Sequence, residues 1–413
     1  MKNKYLPTYE DCLELCNYKD SPFYEAKIVV NGFDVSVFNY RLAQWSDFDK
    51  PLVKNPLLKG YELRGLTFVF NKDGSLFKRY LLLNKFFNLN QTEDTLYDVV
   101  KDYKIKTVAN KEDGSLGTFI KLPDGSVVGK TKMGFNNDQA NAINKIFNND
   151  EKLRNFVNEM LDNDVIPAFE FVSPFNRIVL RYSTDELILT QLRDNKTGEY
   201  LDLRDFNFED INVVEYENYD NLDDLVDVSH QLEDKEGWVI VFENGEMLKV
   251  KTKWYFERHM LLTEDIHHEN VIIEFILDDV IDDVLANIPL EEFELRNRIN
   301  SIVKFVRHEV SELENKINEE YDRFLGLNIT RKEYAIYYGK INPYFSFVVQ
   351  LLDKDEMLKM TDEEIINNFK SYELYNESLE RRTAYNMAVN YIKDKTKRLE
   401  MARDWLREKR FEV

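Results

Sequence analysis

A lysine that acts as a covalent nucleophile must be neutral when it attacks. Its ordinary pKa is about 10.4, so it needs cations or a bound metal beside it to shed the proton. Lys111, in "TVANKEDGSLGTFIK" (107–121), is a candidate for that role. Alone, Lys111-Glu112-Asp113-Gly114 is a weak signal, because Asp-Gly between apolar runs is also the usual centre of a tight β-hairpin. "NKDGSL" (71–76), "LPDGSV" (122–127) and "FENGEM" (242–247) look much like it. Its company sets it apart: Arg64 in "ELRGLTF", Lys85 in "NKFFNL", Lys130 and Lys132 in "VVGKTK", and Lys249 and Lys251 in "MLKVKTKWY". Both lysine pairs are spaced i, i+2, which puts the two side chains of each on one face of a strand. On a half-buried sheet face that is costly unless an anion lies between them, and a triphosphate would serve. Solvated charges on an exposed strand are the plainer alternative. Two acids complete the pattern. Glu170, in "AFEFVSP", shares its strand face with Ala168 and Val172, and Glu236 precedes the apolar run "GWVIVF". Either acid could be the buried partner of a cation; nucleotide and metal binding accounts for the whole set.

The elements that must hold these residues are mostly strands between about 25 and 255. "AKIVVNGFDVSVFNY", "GLTFVFNKDGSLFKRYLLL", "GTFIKLPDGSVVGKTK", "PAFEFVSPFNRIVLRY", "LILTQLRDNKTGEYL" and "GWVIVFENGEMLKVKTKWY" are apolar runs broken by Gly, Asn and Asp turns. "FNNDQANAINKIFNNDEKLRNFVNEML" interrupts them with helical spacing. This order predicts an α+β fold with an antiparallel-sheet domain. After about 260 the periodicity becomes helical, which predicts an all-α C-terminal domain. The stretch "LERRTAYNMAVNYIKDKTKRLEMARDWLREKRFEV" (379–413) has no Gly or Pro and reads as one long basic helix.

With 413 residues, 43% hydrophobic and 32% charged, the chain is long enough for two cores. A net charge of −21 excludes a general polyanion-coating protein but permits a local basic groove. Between Asp202 and Glu236 there are 13 acidic residues and two basic ones, which predicts a solvated excursion. No window approaches the ~18 apolar residues of a membrane span, and the N-terminal residues lack a signal peptide's apolar stretch. Cys12 and Cys16 are four apart with no further Cys or His cluster to complete a zinc site. Two idle thiols point to a reducing cytoplasm.

The order Lys-x-Asp-Gly, Phe-Glu-Phe, Glu-Gly-x-Val, Lys-x-Lys resembles the covalent nucleotidyltransferase superfamily. The strings "KEDGSL", "KFFNLN", "FEFVSPFNRIVL", "NKTGEY" and "KVKTKWY" are similar to those of the bacteriophage ATP-dependent single-stranded RNA ligases that reseal cut tRNA. The resemblance runs to about residue 375. It implies an adenylyltransferase domain over 1–258, a helical C-terminal domain over 259–375 and an added basic helical extension over 376–413. It further implies ATP and Mg²⁺ as cofactors and, as partner, RNA with 5′-phosphate and 3′-hydroxyl ends, cut tRNA among them. No membrane is involved, and a monomer acting in the cytoplasm (the host's, if the chain is viral) is expected. By the same resemblance Lys111 carries the adenylate and Asp113 orients it. Tyr40, Arg64, Lys85, Glu170, Lys249 and Lys251 bind the nucleotide, and Lys132 and Tyr255 serve later steps. Glu236 holds the metal, while Asp282 and Asp283 match an acidic pair able to hold a second one or, equally, are helix-surface acids. The rival readings are a DNA ligase or capping-type enzyme, which would place a small β-barrel after the last paired-lysine strand, and a non-catalytic RNA-binding relative.

Overall fold

The computed structural model describes residues 6–18, 21–50, 58–174, 179–255, 268–288 and 292–410. The chain divides into two units, Met1–Glu264 with Asp282–Leu290, and Asp265–Ile281 with Glu291–Val413. The first is the α+β unit expected from the strand pattern. It holds three sheets, and the way the chain passes between them decides where Lys111 ends up.

The first sheet is a meander, β1 (Phe23–Val30), β2 (Phe33–Tyr40), β3 (Leu66–Phe70) and β4 (Leu76–Tyr80). The remaining strands are β5 (Phe87–Asn88), β6 (Ile105–Lys111), β7 (Ser115–Lys121), β8 (Val127–Thr131), β9 (Val165–Val172), β10 (Glu186–Asp194), β11 (Tyr200–Leu201), β12 (Tyr216–Glu217), β13 (Gly237–Phe242) and β14 (Met247–Lys251). They form a second sheet in the order β11-β10-β9-β7-β8 and a third in the order β12-β6-β13-β14-β5. All neighbours are antiparallel except β14 and β5.

The three look-alike Gly turns close hairpins: β3–β4, β7–β8 and β13–β14. Their glycines, Gly74, Gly125 and Gly245, have φ of +81°, +86° and +82°, which a side chain disfavours. The turn after Lys111 differs in kind. Its strands β6 and β7 do not pair with each other; they lie in the third and second sheets. Gly114 is there for close approach, because a Cβ on it would lie 2.3 Å from the Phe171 carbonyl oxygen. The Lys-Glu-Asp-Gly string is thus a crossover between sheets rather than a hairpin.

The helical insertion is two helices, Asp138–Asn149 and Glu151–Asp162. Asp150 separates them, and its carboxylate caps the second by accepting from the Lys152 and Leu153 N–H groups. Ile143, Phe147, Leu153, Val157 and Leu161 sit in one core with Phe119, Phe169 and Leu189 of the second sheet. The acidic stretch 202–236 is not merely a solvated excursion. It contributes β12 to the third sheet and a helix, Leu222–Ser229, whose Leu222 and Leu225 are buried with Trp238. Acidic side chains on one face do not prevent apolar ones on the other from docking.

The second unit is helical throughout its described residues, built on a 35-residue helix, Phe293–Leu327. The single long helix expected after 379 is instead two helices following Tyr372–Arg381, namely Ala384–Lys393 and Lys395–Arg410. Thr383 begins the first with a side-chain cap to the Asn386 N–H, and Asp394 breaks the chain again with extended backbone, accepting from the Thr396 N–H. Capping side chains compete with helix continuation, and here they win. Among the described residues no helix is long and apolar enough to cross a membrane.

Candidate active site

Lys111 is the last residue of β6. Across the third sheet it lies opposite Gly237 of β13, which lies opposite Lys251 of β14. Two residues along, the same face carries Ala109, Val239 and Lys249 in register. Gly237 therefore stands between two lysines, and a Cβ on it would meet the Val250 carbonyl at 2.0 Å. With no side chain between them, Lys111 and Lys251 both reach the residue before that glycine: Glu236 Oε1 is 2.8 Å from Lys111 Nζ and 3.1 Å from Lys251 Nζ.

Above this face is a cleft of about 420 Å³. Arg64, Lys111, Lys132, Glu170 and Lys249 are in its wall, with Phe86, Leu116, Met133 and Val239 among its apolar lining. Arg64 reaches the Leu83 carbonyl at 3.5 Å. The Lys249 ammonium lies 4.8 Å from the Phe86 ring centre. Burial lowers the Lys249 pKa well below a normal lysine's, and the nearby cations Lys85, Arg64 and Lys111 push it the same way. Glu170, on β9 opposite Leu116 and Ile188, faces the cleft from the second sheet. Burial pushes its carboxyl up to about 7; Glu236 and Asp113 add to the rise, while Lys111 and Arg64 oppose it.

The other expected residues form a layer behind that wall. Asp113 is buried and does not hold Lys111. One carboxylate oxygen accepts from Tyr255 Oη at 2.8 Å, and the other from the Val179 and Leu180 N–H groups at 2.7 and 2.6 Å. It pins the crossover to the loop after β9. Tyr255, buried, carries Lys251 over its ring at 5.0 Å. Tyr40 is a core residue at the end of β2 rather than part of the cleft wall: Lys85 and Lys132 sit 5.3 and 5.0 Å from its ring centre.

Asp282 and Asp283, on the helix Ile281–Asn287, are ion-pair partners. Asp282 holds Lys85 at 2.8 Å, and Asp283 holds Lys251 at 3.0 Å and accepts from Asn88 at 3.2 Å. Burial would raise the Asp283 carboxyl, but Lys251 and Lys249 outweigh it and hold it well below the usual range. Burial likewise works to lower Lys251, and Asp283 and Glu236 overcome it, so that ammonium stays charged.

A divalent cation fits Glu236. Its Oε1 serves the two lysines, while Oε2 is buried and has no hydrogen-bond partner among the described residues. An orphaned carboxylate oxygen in a desolvated site is costly, and a cation would satisfy it. Among the described residues no three His, Cys, Asp or Glu side chains converge as a metal site.

Some of the site was not anticipated. Thr190 and Gln191 line the cleft from the irregular register of β10, and Tyr182 accepts from the Asp113 N–H while donating to Glu112. The signal for the first pair was present, two polar residues interrupting the apolar run "ELILTQL".

Residues 62–259 match the family model described as RNA ligase. A Thermovibrio ammonificans protein named "Putative RNA ligase" is 27% identical over 306 residues, which is 71% of this chain and 77% of that protein. Among solved structures, an archaeal ATP-dependent RNA ligase is 13% identical over 76% of this chain and 80% of its own, with a TM-score of 0.43. A Naegleria gruberi RNA ligase with pyrophosphate is 12% identical over 58% and 98%, with a TM-score of 0.32. The matched region, 62–259, contains Lys111, Glu170, Glu236 and every lysine and arginine of the cleft wall, so the likeness to RNA ligases falls on the part of the chain that builds the cleft.

Proposed function

We propose that the protein is an ATP-dependent RNA ligase that joins 5′-phosphate and 3′-hydroxyl RNA ends through a lysyl-AMP at Lys111, acting as a monomer in the cytoplasm on breaks such as those in cut tRNA. The observation that carries this reading is the placement of one lysine amine in a cleft wall with Arg64, Lys132 and Lys249, facing Glu170.

In the first step the Lys111 Nζ lone pair attacks the ATP α-phosphorus, the bond to the β-phosphate oxygen breaks, and pyrophosphate leaves. In the second, a 5′-phosphate oxygen of RNA attacks the same phosphorus and the Lys–P bond breaks. In the third, a 3′-hydroxyl attacks the activated 5′-phosphate and AMP departs with the bridging electrons. Every step places charge on non-bridging oxygens, so fixed cations are the main device. Arg64 and Lys249 are placed to meet those oxygens, and Lys251 stands behind them. Glu236 orients the Lys111 amine. A divalent cation held by Glu236 would supply further charge at the phosphates. Glu170 is placed to accept from ribose hydroxyls. A second-metal role for Asp282 and Asp283 would require them to release Lys85 and Lys251. The rival DNA ligase or capping reading loses support from the helical character of the described chain after 268.

The test is incubation with ATP labelled on its α-phosphate, followed by peptide mapping. Wild-type protein and Lys72→Ala should both retain label, whereas Lys111→Ala should retain none. Label persisting in Lys111→Ala would overturn the assignment.

A further inference from the structure

Lys130 is fully buried, and the site as described has no use for it. It lies on β8, and a chain seeking only to fill that space would use Met or Leu. Among the described residues its amine makes one hydrogen bond, to the Gly65 carbonyl at 3.1 Å, and it lies 5.7 Å from the Phe135 ring centre. With no carboxylate beside it, burial alone pulls its pKa down to about 7. A neutral amine still donates, so the bond survives without the cost of a buried charge.

What it bonds is specific. Gly65 follows Arg64, whose side chain is in the cleft wall. Gly65 is held on both sides: its N–H donates to the Phe38 carbonyl at 3.0 Å, and its carbonyl accepts from both Lys130 and the Thr67 hydroxyl, at 3.1 and 3.0 Å. Its φ is +80°, and a Cβ on it would meet the Lys132 carbonyl oxygen at 2.8 Å, so its main chain rests on that of Lys132. Among the described residues the Arg64 guanidinium makes one hydrogen bond, the 3.5 Å contact to the Leu83 carbonyl. Its aim therefore depends on the backbone behind it.

We propose that Lys130 is a positioning residue: its buried amine ties the end of β8 to the Gly65 carbonyl and so holds Arg64, beside Lys132, in the place where nucleotide phosphate is received. It touches no reacting atom and acts through Arg64. A fixed donor displaced by about an ångström can lose about 10²-fold in rate, which sets the upper scale.

The inference rests on the adenylation reading, and the full-length wild-type protein separates the two: if it forms no lysyl-adenylate, that reading falls and takes this one with it. Given adenylation, single-turnover rates and melting temperatures are compared for Lys130→Met, Thr67→Val, Arg64→Ala and both doubles with Arg64→Ala. Lys130→Met should slow adenylation about tenfold, and Thr67→Val should slow it less, because each removes one of the two donors to one carbonyl. In the Arg64→Ala background both losses should shrink to less than about twofold, since the group being aimed is gone. Losses of equal factor in both backgrounds, or a folded Lys130→Met that adenylates at the wild-type rate, would overturn the proposal. If Lys130→Met does not fold, Thr67→Val decides on the same criterion.

Discussion

At the scale of single residues, the two acids Glu236 and Glu170 are separable because they face different partners. Glu236 bridges Lys111 and Lys251 and keeps one oxygen unsatisfied among the described residues, whereas Glu170 faces the cleft from the other sheet. Glu236→Ala should cost on the order of 10²–10³ in adenylation rate and blunt the response to added Mg²⁺. Glu170→Ala should instead weaken nucleotide capture, seen as a higher KM for ATP. Wild-type rates in both variants would refute the assignment. Glu170 also makes a pH prediction. Its folded carboxyl titrates at about 7, while an unfolded glutamate titrates near 4.3. Between those values the folded state holds a proton that the unfolded state has lost, so its contribution to stability falls as pH rises through the window and is flat above it. Urea midpoints measured from pH 4.5 to 8 should show wild type losing ground to Glu170→Gln as pH rises. A parallel pH dependence in the two proteins would contradict the assigned direction.

At the scale of elements, the four Gly turns look alike in sequence and differ in tertiary role. Gly74 closes a hairpin at positive φ with no described residue within 4 Å of its would-be Cβ, whereas Gly114 lies against the β9 backbone. Gly74→Ala should cost about 1–2 kcal/mol, the strain of a side chain in a left-handed conformation, and leave adenylation intact. Gly114→Ala must push β9 away from the crossover that carries Lys111. It should cost about 1–3 kcal/mol as overpacking does, and also slow lysyl-adenylate formation. Chemical denaturation beside single-turnover labelling checks both. If Gly114→Ala adenylates normally, close approach at this turn is not part of the site.

At the scale of the whole molecule, the basic extension is less free than its composition suggests. Its Ala384, Met387, Ala388, Ile392, Met401, Ala402 and Trp405 are buried, and Lys393 and Arg398 pair with Asp278 and Glu274 within the helical unit. Removing everything after about 378 would strip that core, so charge substitution is the sharper test of an RNA-binding role. Arg403 is exposed. If it contacts RNA phosphate, Arg403→Gln should lower the slope of log K against log salt by about 0.7 and leave adenylation unchanged. An unchanged slope would leave the extension as a capping element of the helical unit.

Arg64, Lys132, Lys249 and Glu170, which line the cleft with Lys111, were picked out by residue type and spacing. Lys111, Lys249 and Glu170 stand out as ionisable groups in apolar strand runs and Arg64 just before one, and drawing such groups even partly out of water is costly unless something meets their charge. The α+β and all-α segments were readable for a related reason: periodicities of two and 3.6 are local properties of a chain. What each residue touches was not readable. "KEDGSL" and "NKDGSL" differ by little in sequence, yet one crosses between sheets and the other closes a hairpin, because pairing partners are chosen across the fold. The same holds for Asp113, held by Tyr255 rather than by its neighbour Lys111, and for Asp282 and Asp283, which meet lysines almost 200 and about 30 positions away. Lys130 and Lys132 share a strand spacing, but one is sealed under Gly65 and the other opens to the cleft. Hydrogen bonds and ion pairs form between groups brought within about 3 Å, and only the folded backbone determines which groups those are.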